Sequence, residues 1–580
     1  MVEITGIAIA SPILVQSSLS LSFSKKCALN TPTSYPTYYR MANHYKPKRE
    51  LLFGLIYLKR KPDRKWSVNL RWGRIAAAFG ILALAGWLSC GAFLYFFFKI
   101  KRDFEDVSFA KMLILPLRYE EHKREMGNYH IEQAKKLMEE KEWQEAHNFL
   151  RAGVMRSPAN IEGRLLLAEF YVMGFKQPNL GIEILKRGMP YVPDDNLDYI
   201  RTLVGLMLGQ EQDLEMIDFA ESELENRDPQ NDFSRIIGLA AARSAFFRGK
   251  YDTAHEYIDR YSLDKDPSGL SLKAKILAAQ DQIETAVALL ESSISQFEQK
   301  DQLFIELIKL YREQEEFDKA RRYALLRNLN NPLNPGPRVE LLYAYDYSQR
   351  RDRLESEIEK FIEQFGSEPN ALALLGQFGV DTGNAALNRR LYNRAINQGF
   401  DPSLFSFFLI ESEVVAENYA LALELIEDIS AENPEWLEER TIIFSSLRAV
   451  AYFGAGRDAN GSVYLQDVLQ NPDIRVETLI ALSTRLERLD RPDKARAVLQ
   501  AAFDADSSNQ AALTNLIRLD IELGQIDDLT QKVETLLEMR RPTKALIQSI
   551  YNNLGSDKFL FAQNRRAILN ELDQILRQSS

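Results

Sequence analysis

Cysteine is scarce, with two in 580 residues. Cys90 lies in an apolar run and Cys27 in a Ser/Thr-rich stretch. Neither can staple the long C-terminal part, which must fold without disulfides and is silent about redox compartment. Histidine is nearly as rare. His44, His122, His130, His147 and His255 show no HExxH or Cys/His ligand spacing, so no metal is expected. There is no GxSxG and no cysteine placed as a nucleophile. The one Gly-rich stretch, Gly454-Ala-Gly456-Arg-Asp-Ala-Asn-Gly461, lacks the Lys-Ser/Thr and the strand–helix context of a phosphate loop. It reads as a turn between helices. Carboxylate pairs such as Glu139/Glu140 and Glu315/Glu316 read as solvated helix faces. These absences argue against an enzyme, and no cofactor is expected. An excess of cations is also missing from most of the chain. Residues 75–580 hold 59 Lys/Arg against 79 Asp/Glu. Such a balance does not suit a general nucleic-acid binder.

The longest feature present is the run from Ile75 to Phe98, 24 residues without a charge. As a helix it spans ~36 Å, enough to cross a bilayer core of about 30 Å with some tilt. A single transmembrane helix over 75–98 organises the rest. Residues 1–40 are rich in Ser, Thr and Pro. They read as a disordered tail, as translation upstream of a start at Met41, or as a targeting peptide. Residues 41–74 form a basic juxtamembrane segment in which Leu51–Leu58 is too short to span. The first 74 residues hold 13 Lys/Arg against 3 Asp/Glu. Residues 55–74 carry seven Lys/Arg and residues 99–118 carry five. That excess predicts a cytoplasmic N-terminus and a C-terminal part outside the cell membrane, periplasmic in a bacterium. Ala76-xxx-Gly80 and Ala85-xxx-Ser89 are small-xxx-small pairs that permit dimerisation through the span. Residues 99–126 connect the span to the C-terminal part.

From about Met126 apolar residues recur at spacings of three and four, and strand-like alternation is absent. One stretch shows the unit clearly: Gly249-Lys-Tyr251-Asp-Thr-Ala254-His-Glu-Tyr-Ile258. A glycine closes one helix, an aromatic packs under the turn, and a small residue sits where the second helix presses on the first. A bulky aliphatic comes next on the same face. The pattern recurs as Trp143…Ala146…Leu150, Ile283…Ala286…Leu290, Phe317…Ala320…Ala324 and Tyr419…Ala422…Ile426. Taking the small residue as a marker gives 146, 181, 254, 286, 320, 422, 459 and 495. Ile217, Leu354, Asn388 and Leu529 are degenerate markers between them. Prolines twelve residues after a marker, at 158, 193, 229, 332 and 434, help to end the units.

This pattern resembles the tetratricopeptide repeat (TPR) family. The resemblance covers roughly residues 127–540, about twelve units. The units around Ala146, Ala254, Ala422 and Ala495 match well, and those at Ile217 and Leu354 depart. It implies an all-α fold: an α-solenoid of about twelve TPR-like helical hairpins, preceded by one transmembrane helix. The physical argument agrees, since one hairpin cannot bury its own apolar face and units must stack. Residues 541–580 read as capping helices, with Pro542 and Thr543 opening one and Asn564–Gln578 forming the last.

In this family a first-helix position eleven residues before the marker looks into a concave groove. Here its occupants include Lys135, Arg243, Lys275, Lys309, Arg448 and Arg518. Six cations in twelve positions of an acidic domain suit proteins or peptides, including acidic ones. The Lys/Asn clamp of chaperone-binding members is not recognisable. The leading reading is a single-pass membrane-anchored scaffold that binds proteins or peptides at the cell envelope. The alternative is an accessory or regulatory subunit of an envelope polymer synthesis or export complex.

Overall fold

The computed structural model describes residues 50–51, 55–60, 66–102, 104, 107–432, 440–472 and 474–578. The 1–40 tail and Pro434 lie outside the described residues. The chain divides into two compact units, residues 1–117 and 118–580.

In the first unit three short strands precede a long helix. β1 (Glu50–Leu51), β2 (Ile56–Arg60) and β3 (Trp66–Leu70) form an antiparallel sheet in that order. β2 and β3 pair from Ile56 opposite Leu70 to Arg60 opposite Trp66. The sequence reading places no strand here. Ile, Tyr and Val favour pleated backbone, but five-residue strands hold too few alternations to stand out. Helix α1 (Trp72–Phe96) comes next and runs on as a wider π turn through Lys101. Among the described residues it is the one helix long and apolar enough to cross a membrane. Its apolar side chains, among them Phe79, Ile81, Leu82 and Phe93, are exposed. Only Gly91 is buried within it. A Cβ there would sit 2.9 Å from Leu113 Cδ1, on the short helix Phe109–Leu113.

Among the described residues the second unit is a series of twelve antiparallel helical hairpins, from Tyr119 to Glu538, closed by two further helices, Lys544–Gly555 and Arg565–Gln578. The fold is TPR-like. Buried side chains form six clusters that follow one another along the hairpins, from Ile131 and Leu150 at one end to Ile568 and Leu572 at the other. Thr543 opens the helix Lys544–Gly555 by accepting from the Leu546 N–H.

A residue of left-handed backbone stands in each hairpin turn. The series is Lys141, Lys176, Glu211, Gly249, Asp281, Glu315, Gln349, Gly383, Glu417, Gly456 and Asp490, with Gly524 and Asp528 in the last turn. The N–H of the next residue reaches back five residues, as in Glu142 to Leu137 O, 2.8 Å, and Lys250 to Ala245 O, 2.8 Å. This is the Schellman arrangement, which satisfies the orphan carbonyls of the first helix. Hairpin 2 departs because a π turn, Phe170–Gly174, lengthens its first helix by one residue.

The left-handed residue also sets the register. Five residues after it comes the crossing point of the two helices, where Ala146, Ala254, Ala286, Ala320, Ala422 and Ala495 are fully buried. Two markers read from sequence are corrected. In hairpin 3 the crossing residue is Met216, one before Ile217. In hairpin 10 it is Gly461, because Ala459 is exposed and the Phe453 ring would lie 2.9 Å from a Cβ on Gly461. In hairpin 12 the turn is longer, and buried Lys532 joins Leu529 on the inner face. A fixed repeat step cannot track such changes in turn length.

Candidate functional site

The first helices of hairpins 4, 5 and 6 are Asp232–Phe247, Pro267–Ala279 and Asp301–Glu313. Each begins with a suitable start: the Asn231 side chain accepts from the Phe233 N–H, Pro267 stands in the first turn, and Asp301 complements the helix dipole. Arg243, Lys275 and Lys309 each stand four residues before the end of their helix. All three line one cavity of about 940 Å³.

The other wall is chain from far along the sequence. The linker between Leu529–Glu538 and Lys544–Gly555 lays Arg540, Arg541 and Lys544 against the turns of hairpins 3, 4 and 5. Arg540 grips Asp213, 327 residues away, through two hydrogen bonds, Nε to Oδ2 at 2.9 Å and Nη2 to Oδ1 at 3.1 Å. Asp213 is buried at 1% exposure. Arg540 also donates to Leu208 O at 2.9 Å and lies 4.0 Å from the Phe247 ring centroid. Arg248 answers from the opposite side, donating to Glu538 O and Met539 O, both at 2.7 Å. The Arg541 N–H donates to Phe247 O at 2.6 Å. Lys544 pairs with Asp281. The array therefore returns on itself, and its last linker locks onto the edge of three early hairpins.

The cations in the cavity differ in how they are matched. Lys275 lies 3.3 Å from Glu306, and Lys309 lies 3.8 Å from Glu313. Arg540 and Lys544 have the carboxylates named above. Arg243 and Arg541 make no side-chain hydrogen bond or ion pair among the described residues. Burial holds both guanidiniums below the usual arginine range. Leu208, Phe246, Leu272 and Leu310 add apolar surface to the lining of the same cavity. The arrangement can hold anions next to apolar groups. Among the described residues no cluster of His, Cys, Asp and Glu has metal-site geometry.

The remaining groove candidates do not line this cavity. Lys135 pairs with Glu132 at 2.9 Å and Glu162 at 2.6 Å. Arg448 lies 3.5 Å from Ser430 Oγ and 5.6 Å from the Tyr464 ring centroid. Arg518 pairs with Glu487 at 2.5 Å. In the corrected register of hairpin 10, Val450 takes the place counted as Arg448, and Val450 is buried at 1% exposure. Glu411, eleven residues before Ala422, pairs with Arg485 two hairpins on. The sequence reading missed Arg540, Arg541 and Lys544. Their one visible signal was the basic run Arg540-Arg541-Pro542-Thr543-Lys544.

No protein family matches the chain, and no curated protein matches it. Solved structures do. An Naa15/Naa10 complex bound to HypK-THB is 14% identical, covers 85% of this chain and 80% of its own, and has a TM-score of 0.26. A tetratricopeptide repeat protein from Parabacteroides merdae is 14% identical, covers 53% and 98%, and scores 0.28. The APC/C hetero-tetramer Cut9–Hcn1 is 11% identical, covers 81% and 99%, and scores 0.25. The TPR-like character of this chain rests on its own hairpins, since superpositions this loose carry no argument about function.

Proposed function

We propose that the chain is a single-pass membrane protein whose helical array holds acidic segments of partner proteins. One observation supports this above the others: three successive hairpins present Arg243, Lys275 and Lys309 to a single cavity of about 940 Å³. A groove shared by several hairpins suits an extended peptide better than a small substrate. The exposed apolar helix α1 supplies the tether. The basic flank before it favours a cytoplasmic N-terminus and an array on the outer side of the cell membrane.

The test is a pull-down with the full chain in mild detergent, comparing wild type with the Arg243→Glu/Lys275→Glu/Lys309→Glu variant. The reading expects loss of bound protein from the variant and release from wild type by added salt. Lys494→Glu on a second helix is the control, and an equal loss there would reduce the effect to net charge. One stoichiometric synthase or exporter in the eluate would make the chain an accessory subunit. A reporter fused after Ser580 that works only in the cytoplasm would reverse the topology.

A further inference from the structure

We infer that the cavity between the early hairpins and the C-terminal linker is a dianion site, with Arg243 and Arg541 as its two ligating groups and a pair of carboxylates as its ligand. Six cations line this one space, against the carboxylates of Asp281, Glu306 and Glu313. Those carboxylates are already engaged by Lys544, Lys275 and Lys309. Two guanidiniums are left over, one from each wall. Gathering like charges beside apolar surface works against the compact state unless an anion joins them. Guanidinium is also the side chain whose planar fork matches a carboxylate with two parallel hydrogen bonds.

The walls say what carries the carboxylates. Leu208, Phe246, Leu272 and Leu310 line the same cavity as the two guanidiniums and give it apolar surface. A ligand with acidic groups alternating with apolar ones therefore fits better than a bare ion. The volume of about 940 Å³ lies at the upper end of ordinary ligand pockets, which suits a few residues of peptide. An acidic, partly apolar segment of a protein chain is the source the site favours. A free dicarboxylic acid shares the chemistry and lacks the apolar part. This deepens the groove reading and rests on it only for the source of the carboxylates.

The site has a signature that a structural pair lacks. Arg243 makes no side-chain hydrogen bond or ion pair among the described residues, so Arg243→Gln should leave the melting temperature unchanged or raise it while affinity falls. The experiment is calorimetric titration of the full chain in detergent. The probes are an acetylated Leu-Glu-Leu-Glu amide, its Leu-Gln-Leu-Gln counterpart, and glutarate. The expected result is saturable binding of the acidic peptide, weaker binding of glutarate, and none of the Gln peptide at about 1 mM. Arg243→Gln and Arg541→Gln should each weaken the acidic peptide about tenfold or more, and Lys494→Gln by less than about twofold. Arg541 also packs on Gly249, so Arg243→Lys, which keeps the charge and loses the fork, supplies an intermediate affinity if Arg541→Gln unfolds. Glutarate binding without peptide binding would uphold the site and overturn the peptide source. No binding of either probe, or equal losses in the Lys494 variant, would overturn the site itself.

Discussion

Hairpins 3 to 5 and hairpins 7 to 8 are built from the same unit, yet they are held in different ways. Among the described residues, the hydrogen bonds and ion pairs of side chains in Pro335–Gln398 stay within their own or a neighbouring hairpin. Tyr343 donates to Asp381, Arg389 reaches Glu413 at 2.9 Å, and Arg338 pairs with Glu357 at 2.6 Å. The edge of hairpins 3 to 5 instead carries Arg540, Arg541 and Lys544 from the far end of the array. A plain solenoid is close to one-dimensional, each unit feeling only its neighbours. Here that holds for the middle and fails at the edge, because the array meets its own tail. The same meeting creates the cavity.

The largest expected effect is at Arg540. Its removal strands Asp213, a carboxylate at 1% exposure, and breaking one half of such a pair costs about 3–5 kcal/mol. Hydrogen exchange in Arg540→Ala should rise both around Leu208–Arg248 and in the last two helices. Arg338→Ala breaks a partly buried pair in hairpin 7, and its exchange should rise only in hairpins 6 to 8. If Arg540→Ala disturbs the tail alone, the closure is a passive contact and the contrast between the regions falls.

Overpacking a buried alanine on a second helix sharpens the same contrast. Ala254 and Ala395 are both fully buried. A Trp at either costs about 1–3 kcal/mol or more. Damage from Ala395→Trp should stay within hairpins 7 to 9. Damage from Ala254→Trp should also appear in the Lys544–Gly555 helix, nearly 300 residues on and against the same edge. Protection of that helix equal to wild type would show that the two ends are not coupled.

Most of the hairpin order was legible because its causes are local. The small residue at a crossing, the turn that stops a helix and the apolar stripe recur within one unit. The alanines at 146, 254, 286 and 320 could thus be found by counting. Ile217 and Ala459 were counted in place of Met216 and Gly461, because a repeat step read from sequence does not fix the turn to the residue. The cavity was half legible. Arg243, Lys275 and Lys309 share a place in the repeat, so periodicity brings them together. Arg540 and Arg541 reach the cavity only through the accumulated curvature of many hairpins, which no single unit encodes. The strands β2 and β3 were invisible for a third reason, since short alternation does not stand out beside a long apolar run.

Glycine at the turn gives a finer comparison. Gly249 and Gly383 hold the same turn position, with φ of +69° and +65°. A Cβ in left-handed backbone costs roughly 1–2 kcal/mol. At Gly383 it would find Val415 Cγ1 at 3.3 Å, a neighbour that needs to give only slightly. At Gly249 it would lie 2.7 Å from Arg541 Cζ, so the substitution also forces the Arg541 side chain to shift. Gly249→Ala should therefore destabilise more than Gly383→Ala in denaturant titrations. Equal losses would mean that Arg541 yields freely.

The smallest expected effect is a pH dependence at a contact between hairpins 5 and 6. On the second helix of hairpin 5, Glu291 accepts from Tyr323 Oη and Tyr311 Oη, both at 2.7 Å. These two hydroxyls hold its carboxyl below the usual carboxylate range. The unfolded chain lacks them, so its carboxyl takes up a proton at higher pH than the folded one. Folding is thus favoured above the ordinary glutamate range, and the benefit fades as pH falls through the lowered folded value. Glu291 is exposed to solvent, which keeps the effect small. Melting the full chain between about pH 7 and pH 3 should show a larger loss for wild type than for Tyr311→Phe/Tyr323→Phe. That variant removes the hydroxyls and keeps the stacked rings, whose centroids lie 5.8 Å apart. Parallel curves would mean that the tyrosines act on Glu291 through packing alone. A variant that loses more on acidification than wild type would reverse the sign and refute the assignment.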